Sequence, residues 1–272
     1  MAQVFSAFFR SEAYWAPMLI FRTFLAVLAI TLGLPISAQA QTAVGTYGAR
    51  WAGLPVGTVT ITNSSDPAGG SAPYAFSMTL QSGGILGSSR FTTTFSARGQ
   101  VDERWLSPAV GRFTDVRRNE TRRETIQFSN GMPSFSSEPA YLIPEEFQFD
   151  MERTRGSFDP SSGMFMLLQA AAWGDCDRQF PVFDGFSLYA ARITDMGQEN
   201  VRTRLYRGPS QKCGLTLTPI AGKAAVFGSF IVPEMEVNVA QVAPGTPAIP
   251  VRGSLVVNGS RATLRLTDFT VQ

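Results

Sequence analysis

Histidine is absent from the 272 residues, which removes the imidazole as general base, proton shuttle and metal ligand. Lysine occurs only at Lys212 and Lys223, so all but two of the 23 basic residues are arginine, and a lysine-activated nucleophile has almost nowhere to sit. The two cysteines are too few, without histidine, to fill a tetrahedral zinc site, and they lack the C-x-x-C spacing of a redox pair. Charged residues make up only 16% of the chain and the net charge is +2, a near-balance that encodes neither a nucleic-acid groove nor a polybasic membrane patch. No G-x-S-x-G, S-x-x-K or H-E-x-x-H motif occurs. What is present is apolar: 44% hydrophobic residues, with Phe 21, exclude a solvated disordered chain.

No apolar run reaches the roughly 20 residues of a membrane-spanning helix. Thr23 to Leu34, about a dozen residues after Arg22, is followed by helix-breaking Pro35 and by Ala38-Gln39-Ala40, which places small residues where a signal peptidase reads. Residues 1–40 therefore read as a cleaved signal peptide and 41–272 as a single β-rich domain, periplasmic or secreted and no longer membrane-integral after cleavage. An uncleaved N-terminal anchor is the alternative. The first 17 residues carry Glu12 and make an untidy leader, so either Met1 or Met18 can be the true initiator. Export to an oxidising compartment gives Cys176 and Cys213 the means to form a disulfide.

From Gln41 onward, β-branched and aromatic residues alternate with polar ones between Gly, Pro and Asn-rich breaks. Strands are predicted at 58–62, 74–81, 91–98, 112–118, 121–128, 188–194, 201–206, 215–219, 235–239, 255–257 and 262–266. Their short spacing, with no amphipathic helices between, points to consecutive antiparallel pairing and a mainly β fold. Asn258-Gly259 predicts a two-residue turn that sets Val257 opposite Ser260 and Leu255 opposite Ala262. Leu255, Val257, Ala262, Leu264 and Leu266 then share one face, and Arg261, Thr263 and Arg265 the other. Asn130-Gly131 repeats the signal, with Pro133 tolerable only at an edge or just past the turn.

One segment breaks the pattern. Asp159 suits an N-cap, Pro160 the first helical position and Gly174 a left-handed C-terminal stop. The intervening residues, with Met164, Leu167, Leu168 and Ala171 on one face and Phe165 and Ala172 beside it, form a helix so apolar that it must be buried.

Other features have bland readings. Gly83-Gly84-Ile85-Leu86-Gly87 lies between strands and reads as a hairpin loop rather than a phosphate cradle. Asp175, Asp177 and Asp184 match no calcium-loop spacing and read as solvated turn residues beside the disulfide. Arg112, Arg117, Arg118, Arg122 and Arg123 are interleaved with Asp115, Glu120 and Glu124, as expected of cross-strand ion pairs on a solvated face. Asn63, Asn119 and Asn258 each open a glycosylation sequon.

Three ordered landmarks are shared with a known family. Residues 47–57 (YGARWAGLPVG) are similar to its opening strand and glycine-containing turn. Trp105-Leu106-Ser107-Pro108, followed by the arginine-rich hairpin and Ile126-Gln127-Phe128, resembles its middle. Phe158-Asp159-Pro160-Ser161-Ser162, then Val182-Phe183-Asp184-Gly185 leading to Leu188-Tyr189, resembles its most characteristic stretch. Together they resemble a bacterial family of exported proteins, domain of unknown function 3108, over roughly Val44 to the C-terminus. Gly163 departs from it where a larger apolar residue is expected, which loosens the helix packing. The resemblance implies one long, strongly curved antiparallel sheet, an open or half barrel, clasping a single apolar helix, similar in general shape to periplasmic lipoprotein carriers. It supplies no catalytic residue.

The leading expectation is a non-enzymatic periplasmic protein that holds a hydrophobic or lipid-like ligand in the sheet's concavity, beside Met164, Phe165 and Leu168, without cofactor or metal. A carrier role calls for a cavity near roughly 300 Å3. The same helix can instead complete a closed core. A second function class is an envelope interaction protein that meets a protein partner through an exposed sheet edge. An enzyme built on Asp175, Asp177 and Asp184 is the remaining possibility.

Overall fold

Inward Ala43, Gly45, Tyr47 and Ala49 alternate with outward residues from the start of the first strand, and this period of two builds almost the whole molecule. The computed structural model describes residues 41–65, 71–83, 90–118, 120–223, 234–257 and 259–272. The predicted signal segment lies outside the described residues. Thirteen strands form one antiparallel sheet: β1 Thr42–Trp51, β2 Leu54–Ser64, β3 Ala72–Ser82, β4 Phe91–Asp102, β5 Trp105–Arg117, β6 Glu120–Ser129, β7 Met132–Glu138, β8 Arg178–Phe183, β9 Ser187–Arg202, β10 Arg207–Gly222, β11 Glu234–Ala240, β12 Ile249–Val257 and β13 Ser260–Val271. Helix α1, Pro160–Ala172, lies between β7 and β8 in sequence.

The spatial order is β7-β6-β5-β4-β3-β2-β1-β13-β12-β11-β10-β9-β8. Strands next to each other in sequence are therefore neighbours in space, except that β1 joins β13 and the helix separates the two edge strands. The sheet curls until it nearly closes into a barrel around α1. This is the mainly β, curved-sheet architecture expected from the sequence.

The helix starts and stops where its punctuation directs. The Asp159 carboxylate accepts the Ser161 and Ser162 backbone N–H groups at 2.9 and 3.1 Å, and Gly174 takes φ +67° just past the C-cap. Ten of its residues are buried, on every side, and Phe165 stacks on Tyr74 with ring centroids 4.3 Å apart. Gly163 does not loosen this packing, because Phe180 and Val182 move in until an added Cβ would meet both at 3.4 Å. Buried polar links fix both ends. Tyr74 donates to the Ser162 hydroxyl at 2.8 Å, and that hydroxyl donates to Asp159. Gln169 donates to Ser65, which donates to Asn63, which donates to the Ala248 carbonyl. Asn63 is thus wholly buried and is no sugar acceptor, while the other two sequon asparagines lie outside the described residues.

The C-terminal hairpin has the register computed from its turn, Val257 opposite Ser260 and Leu255 opposite Ala262. Asn130 and Gly131 both take positive φ, at 50° and 75°, and Pro133 falls on β7, an edge strand. The strands predicted at 188–194 and 201–206 are corrected: the first continues through Arg202 as β9, and Thr203 to Tyr206 is a turn. The Thr203 hydroxyl accepts the Tyr206 N–H at 2.9 Å there, which ends the ladder. Ion pairs do occupy the arginine-rich hairpin, but two of three run along a strand, Arg117–Asp115 at 2.7 Å and Arg122–Glu124 at 2.5 Å. Only Arg123–Glu138 crosses, to β7.

Cys176 and Cys213 form the expected disulfide, tying the exit of α1 to β10. The seam between the edge strands is covered too. Phe158 donates its N–H to the Pro181 carbonyl and accepts from Phe183, both at 2.9 Å, and Gly156 donates to Gly131 at 2.8 Å. Phe186 packs edge-on against both Phe135 of β7 and Tyr141 of the β7–α1 connection, with centroids 4.9 Å apart in each pair.

Candidate functional site

At the N-terminal end of α1 the packing opens into a cavity of about 180 Å3. Cross-strand partners Phe95 of β4 and Phe113 of β5, with rings 5.0 Å apart, join Ile126 of β6 and Phe186 of the β8–β9 turn in an apolar wall. Asp159, Pro160 and Ser161 bring the first turn of the helix to it. Gly111 decides this approach: a Cβ there would lie 2.3 Å from the Asp159 carboxyl carbon, so a side chain at 111 would push the helix start away from β5.

Three carboxyls face this space. Asp159 is 1% exposed, and burial raises its pKa against the lowering effect of the Ser161 and Ser162 hydrogen bonds. Asp184 shapes the β8–β9 turn by accepting the Phe186 and Ser187 N–H groups at 2.8 and 2.7 Å, and the Tyr189 hydroxyl at 3.0 Å. Burial raises its pKa as well, despite those donors. Glu124 is raised by burial and by the Asp184 charge, with Arg122 opposing. Arg122 sits 5.6 Å above the Phe186 ring and 5.8 Å above Tyr141, while Arg112 lines the cavity from an exposed position. The arrangement suits a small apolar group with a hydrogen-bond-donating or cationic end, since two carboxylates here lack any arginine partner among the described residues.

The family model described as "Protein of unknown function (DUF3108)" matches residues 46–251, well over half of the chain. The chain belongs to the DUF3108 family. A solved relative in fold is the beta-barrel-like protein of domain of unknown function DUF1849 from Brucella abortus. It is similar with a TM-score of 0.50 at 12% identity, over 86% of this chain and 98% of that one. No curated protein matches. At this identity the likeness concerns the fold alone.

In this DUF3108 chain, Phe165 and Leu168 lie in the closed core and Met164 is half-buried against it. None of the three lines the cavity, which belongs instead to the residues one turn earlier. Asp184, expected in a solvated turn, is half-buried and spends its oxygens on the turn. Asp175 pairs with Arg178, Asp177 is exposed, and neither lines this cavity with Asp184. The sequence did carry one partial signal: Gly111 inside a strand marks a close approach. The Phe95–Phe113 pair and the turn at Asp184 meet only through the curl of the sheet. Among the described residues no helix is long and apolar enough to cross a membrane.

Proposed function

We propose that the protein is a non-enzymatic binding protein of the bacterial envelope that holds a small hydrophobic ligand in the phenylalanine-walled cavity at the start of α1. The observation that carries this reading is the cavity itself, lined by Phe95, Phe113, Ile126 and Phe186 together with the carboxyl-bearing Asp159, Asp184 and Glu124. At about 180 Å3 it is smaller than the roughly 300 Å3 floor of most ligand pockets and close to the roughly 150 Å3 apolar cavity that holds benzene. The ligand, or the part of it that enters, is therefore a single ring or a short branched chain, with a donor or ammonium end toward the carboxylates. The sheet-edge partner reading draws less support, because Phe158 and the aromatic seam cover the edge of β8.

The test is titration with benzylamine and with toluene, followed by calorimetry and by native mass spectrometry. Benzylamine should bind more tightly than toluene, and Ile126→Trp, which fills the cavity, should abolish binding. Leu168→Trp should instead destabilise the protein by overpacking, at roughly 1 to 3 kcal/mol, and leave binding intact. Absence of binding by either probe, with no co-purifying molecule released on organic extraction, overturns the proposal.

A further inference from the structure

A second pocket, remote in sequence from the first, has four arginines among its seven lining residues. The end of β9 supplies Arg202 and the β9–β10 turn Thr203 and Arg204, and the facing wall supplies Arg252 of β12 with Arg265 and Thr267 of β13, around a space of about 550 Å3. In the sheet register Arg252 stands directly opposite Arg265. Arg202 likewise stands opposite Arg207. Like charges directly across a ladder are destabilising, and here two such pairs sit beside one pocket.

The compensation within the protein is thin. Arg252 reaches Glu199 at 3.3 Å, both side chains substantially exposed, and the other oxygen of that carboxylate already accepts from Asn238 at 3.3 Å. Arg202, Arg204, Arg207 and Arg265 make no ion pair with any described residue. Arginine is the side chain whose planar fork matches oxyanions bidentately and whose charge does not titrate away. A local surplus of such forks in a concave site, on a chain of net charge only +2, selects a compact polyanion rather than a long nucleic acid.

We propose that this pocket binds a phosphate-bearing ligand carrying more than one negative charge, held between Arg202 and Arg204 on the turn and Arg252 and Arg265 on the sheet. The bound oxyanion neutralises the opposed Arg252–Arg265 pair and the Arg202 side of the other. The site does not depend on the phenylalanine-walled cavity, and its ligand need not be the same molecule. The shared chemistry is the phosphate oxyanion, which a soluble phosphate compound and a phospholipid headgroup both present.

The experiment measures calorimetric binding of inorganic phosphate and inorganic pyrophosphate at 50 and 200 mM salt, and co-sedimentation with phosphatidylcholine vesicles with and without phosphatidylglycerol. Pyrophosphate should bind more tightly than phosphate and should weaken at the higher salt. Arg252→Gln/Arg265→Gln should lose at least tenfold in affinity while its thermal midpoint stays level or rises, a combination that a purely structural role for these arginines does not give. Arg204→Gln, on the exposed turn, gives the same reading should the double variant fold poorly. Pyrophosphate binding without vesicle binding assigns a soluble phosphate compound, and vesicle binding that pyrophosphate displaces assigns a lipid headgroup. No binding of pyrophosphate or of phosphatidylglycerol vesicles, or variants that bind as the native protein does, overturns the proposal.

Discussion

Asp159 serves the fold in two opposed ways. As an N-cap its carboxylate satisfies two backbone N–H groups and the Ser162 hydroxyl, and as a charge 1% exposed it suffers desolvation that raises its pKa. Substitution separates the two. Asp159→Ala should lose the cap, a cost of about 0.5–2 kcal/mol, and leave the Tyr74–Ser162 hydroxyl chain without its terminal acceptor. Asp159→Asn keeps a good capping oxygen and removes the buried charge, but its amide nitrogen donates where the second carboxylate oxygen accepted the Ser162 hydroxyl. Urea unfolding at pH 7 should therefore show the Ala variant weakened more than the Asn variant, which keeps the cap. An Asn variant as weak as the Ala variant would mean that the second accepting oxygen, and not the cap alone, is what the site requires.

At the scale of elements, α1 is held by its caps, by its burial and by the disulfide that anchors its exit to β10. The bridged cysteines are 37 positions apart, and closing a loop of that size in the unfolded chain gives at most about 4 kcal/mol in the chain-entropy model. Reduction, or Cys176→Ala/Cys213→Ala, should lower unfolding free energy by no more than this amount while near-ultraviolet dichroism still reports a packed core. Alkylation without reductant should add no label. The helix was readable from Asp159, Pro160 and Gly174 because capping is local chemistry, and so was the β12–β13 hairpin, whose turn residues set its register. β8 was not readable as a strand, since Pro181 in a run of six argues against one unless the strand is known to be an edge. Phe165 and Leu168 were legible as buried but not as closed in. Whether a concavity is filled depends on how far the sheet curls, and no periodicity carries that. The cavity draws on β4, β5, β6, the start of α1 and the β8–β9 turn, so its membership is a property of the closed sheet rather than of any segment.

For the whole molecule, the cavity should leave its mark on the pH dependence of stability. Burial raises the folded-state pKa of Asp159, Asp184 and Glu124 above the unfolded carboxylate range near about 4. The folded protein thus holds these protons more tightly than the unfolded chain does. Their contribution to stability is fully present below the unfolded pKa and is lost as pH rises through the folded values. The exposed ion pairs, such as Arg123–Glu138 and Arg155–Glu152, are worth too little to reverse this trend. Urea midpoints of the ligand-free protein should therefore decline as pH rises above the unfolded carboxylate range near about 4, and Asp159→Asn/Asp184→Asn/Glu124→Gln should flatten the decline. A bound ammonium changes the balance, because it favours the ionised carboxylates and pulls their pKa values down. With saturating benzylamine the same decline should shrink in the native protein and stay unchanged in Ile126→Trp. A profile that rises across this range without ligand, or one that benzylamine leaves untouched, would separate the carboxylates from the cavity and remove the electrostatic half of the proposed site.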